Sequence, residues 1–192
     1  MTMKCFFTIL ILLFPLSLFA QEHLVFRGLP IDGNASDFVG ALKSQGFKVK
    51  SQTEGEIMLK GPYAGVEKCP IAVHYSPLTG TVCKVTVRSP KPYKSWPSIK
   101  GRYDTLVEAF SQKYTLTKNQ HLLFNPFRSS EFSALADKED AVYSRYESKE
   151  GTILLKIEAV SSLKGTIVVI YEDKVNMNLY LTERNNAIIS DI

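Results

Sequence analysis

The residues with the most chemical potential in this chain lie between positions 88 and 97, in the run Arg88-Ser89-Pro90-Lys91-Pro92-Tyr93-Lys94-Ser95-Trp96-Pro97. Cations at Arg88, Lys91 and Lys94 alternate with Tyr93 and with Trp96, the single tryptophan. Aromatic faces offer stacking surfaces and attract cations, while lysine and arginine select anionic groups. The candidate ligand-binding residues are therefore Arg88, Lys91, Tyr93, Lys94 and Trp96. The expected partner is an anionic ligand, a glycan or an envelope protein. The same run also reads as a solvated linker in which Trp96 staples the helix that follows, since loops are polar and exposed in any case.

The other reactive side chains form no recognisable constellation. His23, His74 and His121 have no second ligand at a helical or Cys-x-x-Cys spacing. A zinc site needs three or four converging ligands, so neither a metal nor a cofactor is expected. There is no nucleophile elbow, phosphate loop or His-Glu-x-x-His. The run Asp137-Lys138-Glu139-Asp140 clusters carboxylates, but glycoside hydrolysis needs two that face each other across a cleft. A charge run on one polar loop reads as a solvated face. The function expected on these grounds is a non-catalytic binding or interaction module. The alternatives are a hydrolase-like enzyme whose site assembles from scattered residues, and a structural component of an envelope assembly.

The envelope enters through the first 20 residues. Lys4 supplies a positive start, Cys5 to Phe19 is apolar apart from Thr8 and Ser17, and Ala20 is a small residue at the cut. That is the pattern of a secretory signal peptide, and it is shorter than the ~20 apolar residues that span a bilayer. The expectation is export to the periplasm or beyond, cleavage near Ala20, and no membrane span in the mature form. Removing Lys4 leaves 22 basic against 19 acidic residues. A balance that mild does not suggest general nucleic-acid binding, and none is expected. The charge is uneven, however. From Lys68 to Tyr103 there are seven cations and no acid.

The pattern of apolar residues predicts an α+β fold. A strand-like opening, His23 to Arg27, precedes a helix capped by Asn34 or Ser36 and ended by Gly46. Strands are predicted at about 47–53, 56–61, 69–76 and 81–88. Leu78-Thr79-Gly80 reads as a three-residue hairpin loop. Its register sets Tyr75 opposite Cys83, Val73 opposite Val85 and Ile71 opposite Val87, which gathers one apolar face. Cys69 then lies six rungs from Cys83, roughly 20 Å away, beyond the reach of a disulfide. Ser95 caps a second helix, in which Ile99, Tyr103, Leu106, Val107, Phe110 and Tyr114 form one stripe. Strands follow near 115–125, 141–148, 151–160 and 165–172, interrupted by a polar stretch with a short helix. Beyond 172 the alternation of Val175, Met177, Leu179 and Leu181 is a strand pattern, whereas the polar run Thr182 to Asn186 reads as helical or loose, so the tail is either a docked extension or a disordered end.

This order suggests two tandem helix-plus-antiparallel-sheet units, residues 21–90 and 95–172, within a domain spanning 21–172 and followed by a tail at 173–192. Ser44-Gln45-Gly46-Phe47 answers Ser111-Gln112-Lys113-Tyr114, and Leu78-Thr79-Gly80-Thr81 answers Leu163-Lys164-Gly165-Thr166. Aligned on the turns, Ile71 falls against Lys156, a mismatch of faces that a bulge would absorb.

The opening His23 to Gly33, the run Leu59-Lys60-Gly61-Pro62-Tyr63-Ala64-Gly65 leading to Cys69, and the ending Ser190-Asp191-Ile192 resemble small, functionally unassigned exported proteins of Bacteroidetes-type bacteria. That resemblance implies an exported α+β protein and brings no catalytic residues. The tandem layout is also similar to the repeats of β-lactamase-inhibitor-type proteins, at the level of the fold alone.

Overall fold

The computed structural model describes residues 22–122, 130–137 and 141–190. The expected signal peptide, and Lys138 to Asp140 of the acidic run, lie outside the described residues. The protein is α+β, with four helices and antiparallel strands among the described residues. Among the described residues no helix is long and apolar enough to cross a membrane.

The chain opens with β1 (Val25–Phe26) and β2 (Leu29–Pro30), a tight hairpin rather than one longer strand. Arg27 and Gly28 both take positive φ, the conformation that a two-residue hairpin turn demands. Helix α1 (Ala35–Ser44) starts at Asn34, whose side chain accepts from the Ser36 amide at 2.9 Å. It buries Phe38, Val39 and Leu42. Then come β3 (Lys48–Thr53), β4 (Glu56–Tyr63), β5 (Val66–Tyr75) and β6 (Val82–Arg88). Helix α2 (Trp96–Ser111) starts at Ser95, with Pro97 in its first turn, where a missing amide costs nothing. It turns Ile99, Tyr103, Leu106 and Phe110 inward, as their spacing predicts. The chain continues through β7 (Thr115–Gln120), α3 (Glu131–Ala136), β8 (Val142–Glu147), β9 (Gly151–Ser161) and β10 (Lys164–Asp173).

Eight of the strands form one sheet in the order β3-β4-β5-β6-β10-β9-β8-β7, antiparallel throughout. The two groups of four therefore meet at their last strands, with Thr86 opposite Ile170 at the join. One face carries Ile71, Val73, Val85, Val87, Leu155 and Val169 into a single core with α1 and α2. The residues between them point to the other face, because strand side chains alternate.

The predicted hairpin register holds at Val73–Val85 and Ile71–Val87. It shifts between His74 and Tyr75, so Tyr75 meets Val82 and not Cys83. Cys69 and Cys83 are free and buried. Burial pushes the Cys83 thiol up to about 11 and raises that of Cys69 as well, so both thiols are held protonated.

The tail corrects the strand pattern. Residues Lys174–Ser190 form helix α4. The carboxylate of Asp173, fully buried, accepts from the Val175 and Asn176 amides through Oδ1 at 3.1 and 3.0 Å. These are first-turn donors that a helix start leaves open. Strand β10 is paired on both sides already, and once Asp173 has capped the turn the backbone closes on itself. Leu179 and Leu181, which carried the alternation, are exposed on this helix.

Candidate binding surface

The structure gives the five residues of the basic–aromatic run different places. The Tyr93 amide donates to the Gly165 carbonyl at 2.7 Å and its carbonyl accepts from the Gly165 amide at 3.0 Å. This bridge pins the connector to the start of β10. Trp96 is half-buried and meets the ring of Phe132 edge-on at 5.6 Å. A side chain at Gly165 would collide with that same ring. Tyr93 and Trp96 thus serve packing and backbone pairing. Lys91 and Lys94 are exposed. Arg88, the last residue of β6, donates from Nη1 to Oε2 of Glu158 at 2.5 Å.

The histidines lie on separate parts of the fold. His74 has Nδ1 3.3 Å from Glu56 and Nε2 3.2 Å from the Thr86 hydroxyl. Burial, with Lys84 nearby, lowers it to about 4. His23 sits between Asp32 at 3.4 Å and Asp173 at 3.2 Å, beside the start of α4. Among the described residues no three His, Cys, Asp or Glu side chains converge as a metal site requires.

A groove of about 550 Å³ lies on β7, β8 and β9, floored largely by side chains of the face opposite the core. Lys118, Tyr143, Arg145, Leu154, Lys156 and Glu158 form that floor, and Leu135 and Ala136 of α3 close one end. Lys118 stands directly opposite Arg145, and Tyr143 opposite Lys156. The ammonium of Lys118 is 5.3 Å from the centre of the Tyr143 ring. Arg145 donates to Glu147 at 2.8 Å. Glu158 is held by Lys156 at 2.6 Å and by Arg88. Burial opposes ionisation of Glu158, but the hydrogen bonds from Lys156 and Arg88 outweigh it and hold the carboxyl below its usual range.

The sheet supplies an internal comparison. One rung crosses all eight strands as Ser51–Met58–Ala72–Thr86–Ile170–Leu154–Arg145–Lys118. Lys118 and Arg145 occupy in the second half the places that Ser51 and Met58 occupy in the first. One step along the strands, the pair Tyr143–Lys156 answers the pair Glu56–His74. At the mirror positions in the strand order, Ser51, Met58, Glu56 and His74, the sheet carries no Lys or Arg. Two cations directly opposite on neighbouring strands destabilise a sheet. Glu147 meets part of the Arg145 charge from its own strand, and an anion between Lys118 and Arg145 would reduce the remaining repulsion.

Sequence reasoning did not single out Lys118, Tyr143, Arg145 or Lys156, because they come from three strands and only the register assembles them. The available signal was the alternation Ile153-Leu154-Leu155-Lys156-Ile157-Glu158, which marks one face of β9 as charged. No family model matches the chain, and neither does any curated protein or solved structure.

Proposed function

We propose that this protein is an exported, non-catalytic binding module that engages an anionic partner through the groove on β7, β8 and β9. The observation that carries this reading is the directly opposed pair Lys118 and Arg145, set where the first half carries Ser51 and Met58. Residues directly opposite are about 5 Å apart at Cα, a span that one carboxylate bridges with a charge-assisted hydrogen bond to each cation. Among the described residues that line the groove there is no Ser, Cys or His, and the one carboxylate, Glu158, is held by two cations. That composition favours binding over the hydrolase alternative.

The tandem layout belongs to the same proposal, with residues 21–90 and 95–172 as two copies of one unit. Three matches support it. The helices end at Gln45 and Gln112, the edge strands bulge between Val49 and Ser51 and between Leu116 and Lys118, and the halves meet about Thr86 and Ile170. The extra length of the second unit corresponds to the insertion that carries α3. Duplication followed by recharging one copy is a route by which a structural sheet becomes a binding sheet.

The test is titration of the mature chain with polyaspartate and with polygalacturonate at low and high salt. At least one polyanion binds, its affinity falls with salt, and the double substitution Lys118→Ser with Arg145→Met abolishes binding. If neither polyanion binds the wild type, the reading is wrong. Mass spectrometry of the protein recovered from an envelope fraction tests cleavage near Ala20, which a retained Met1 would refute, and its absence from that fraction and from the medium would refute export.

A further inference from the structure

We infer that the occupant of the groove is a polypeptide, an extended segment in which acidic side chains stand beside aliphatic ones. This rests on the anionic groove proposed above and narrows its ligand. Two kinds of side chain line the groove, and they select different groups. Lys118, Arg145 and Lys156 select acids, whereas Leu135, Leu154 and Ala159 offer aliphatic surface. An acidic glycan satisfies only the cations. Set against leucine side chains, its hydroxyls would lose water without gaining partners, which is unfavourable. Among the described residues of the groove the one ring is Tyr143, and the Lys118 ammonium already lies against it, where a sugar would compete with the cation.

The protein's own glutamates show the required chemistry. Arg145 holds Glu147, and Lys156 holds Glu158, each as a side-chain carboxylate at hydrogen-bond distance. A carboxylate on a short side chain therefore fits these cations. Lys118 has ring contact but no carboxylate among its described partners, so it is the cation that an incoming acid would neutralise first. An extended chain places alternate side chains on one side about 6.6 Å apart. It can set an acid at Lys118 and Arg145 while an aliphatic neighbour covers Leu154.

Nitrogen-15-labelled mature protein, titrated with three probes, tests the inference. They are a terminally blocked peptide repeating Asp-Ser-Leu-Ser, which sets acid and aliphatic side chains in turn on one side of an extended chain, the same peptide with asparagine in place of aspartate, and polygalacturonate. The expected result is that the acidic peptide shifts the backbone amides of Lys118, Tyr143, Arg145, Leu154 and Lys156. The asparagine peptide does not, and polygalacturonate binds at least tenfold more weakly. Binding of the acidic peptide falls about tenfold or more in Lys118→Ser with Arg145→Met, as expected for losing two charged hydrogen bonds. That variant carries at β7 and β8 what β3 and β4 already tolerate, and its amide dispersion reports whether it folds. Lys156→His, which copies the first half at His74, is a second variant with the same expectation. If polygalacturonate moves the groove amides as strongly as the acidic peptide does, or alone, the polypeptide inference is overturned while the anionic groove stands. If no probe moves them, both are overturned.

Discussion

Replacing Asp173 with alanine should loosen both ends of the described chain at once. The Asp173 carboxylate accepts from the Leu24 amide through Oδ2 at 2.8 Å and from the Val175 and Asn176 amides through Oδ1. The residue is fully buried at the junction of β10, α4 and the opening hairpin. Losing the cap costs about 1 kcal/mol. Stranding the Leu24 amide, a buried donor, costs about 1–3 kcal/mol more. The sum, about 2–4 kcal/mol, is a large part of the 5–15 kcal/mol that holds a typical domain together. For a domain of this size it lowers the melting temperature by about 5–15 °C. Thermal unfolding of wild type, Asp173→Ala and Asp173→Asn measures it. Asparagine keeps one acceptor for α4 and should fall between the other two. Amide hydrogen exchange localises the effect, with faster exchange expected at Leu24, Val175 and Asn176. A melting temperature within 1 °C of wild type, together with unchanged exchange at Leu24, would refute the account of this junction.

Three further outcomes are expected. Trp96→Ala removes the edge contact with Phe132 and should cost about 3 kcal/mol in urea unfolding, whereas Lys91→Ala and Lys94→Ala should stay within about 0.5 kcal/mol of wild type. Gly151→Ala drives a new methyl against the carbonyl of Glu172, backbone that cannot turn aside; a loss of about 1–3 kcal/mol is expected, and an unchanged urea midpoint would contradict the close packing of β9 on β10. His74 titrates at about 4 in the fold and near 6.5 when unfolded, so between those values the unfolded chain binds more protons. Its contribution is therefore present above pH 6.5 and is lost as the pH falls towards 4, by up to about 3 kcal/mol. In His74→Gln the pH dependence of stability across that window should flatten, and an unchanged curve would show that His74 is not its source.

Much of the local structure was legible before any coordinates. The stripe Ile99, Tyr103, Leu106 and Phe110 defines the buried side of α2 because helical period and burial coincide there. The caps Asn34 and Ser95 announce the helix starts, since their side chains accept from backbone amides that no other group reaches. Val73–Val85 and Ile71–Val87 were readable because a hairpin is a local object whose turn sets its register. The bulge beside Tyr75 was not, since nothing in the run itself marks the extra residue. The tail was misread because its alternation has a period but no partner strand, and a buried carboxylate at Asp173 turned it into a helix instead. The basic run stands out by its composition, and only the structure shows that two of its residues make contacts far along the chain. Tyr93 pairs with Gly165 and Trp96 rests on Phe132, contacts 72 and 36 positions away along the chain.

By itself, then, the sequence determined an α+β chain with two capped amphipathic helices, a core-forming hairpin and a surplus of positive charge between Lys68 and Tyr103. Each of these depends on neighbours along the chain, where periodicity and capping act. Only the tertiary structure decided which cations face one another. Lys118, Arg145 and Lys156 come together because three strands pair in one register, and a register is settled by the burial of the opposite face, not by the residues that end up in the groove.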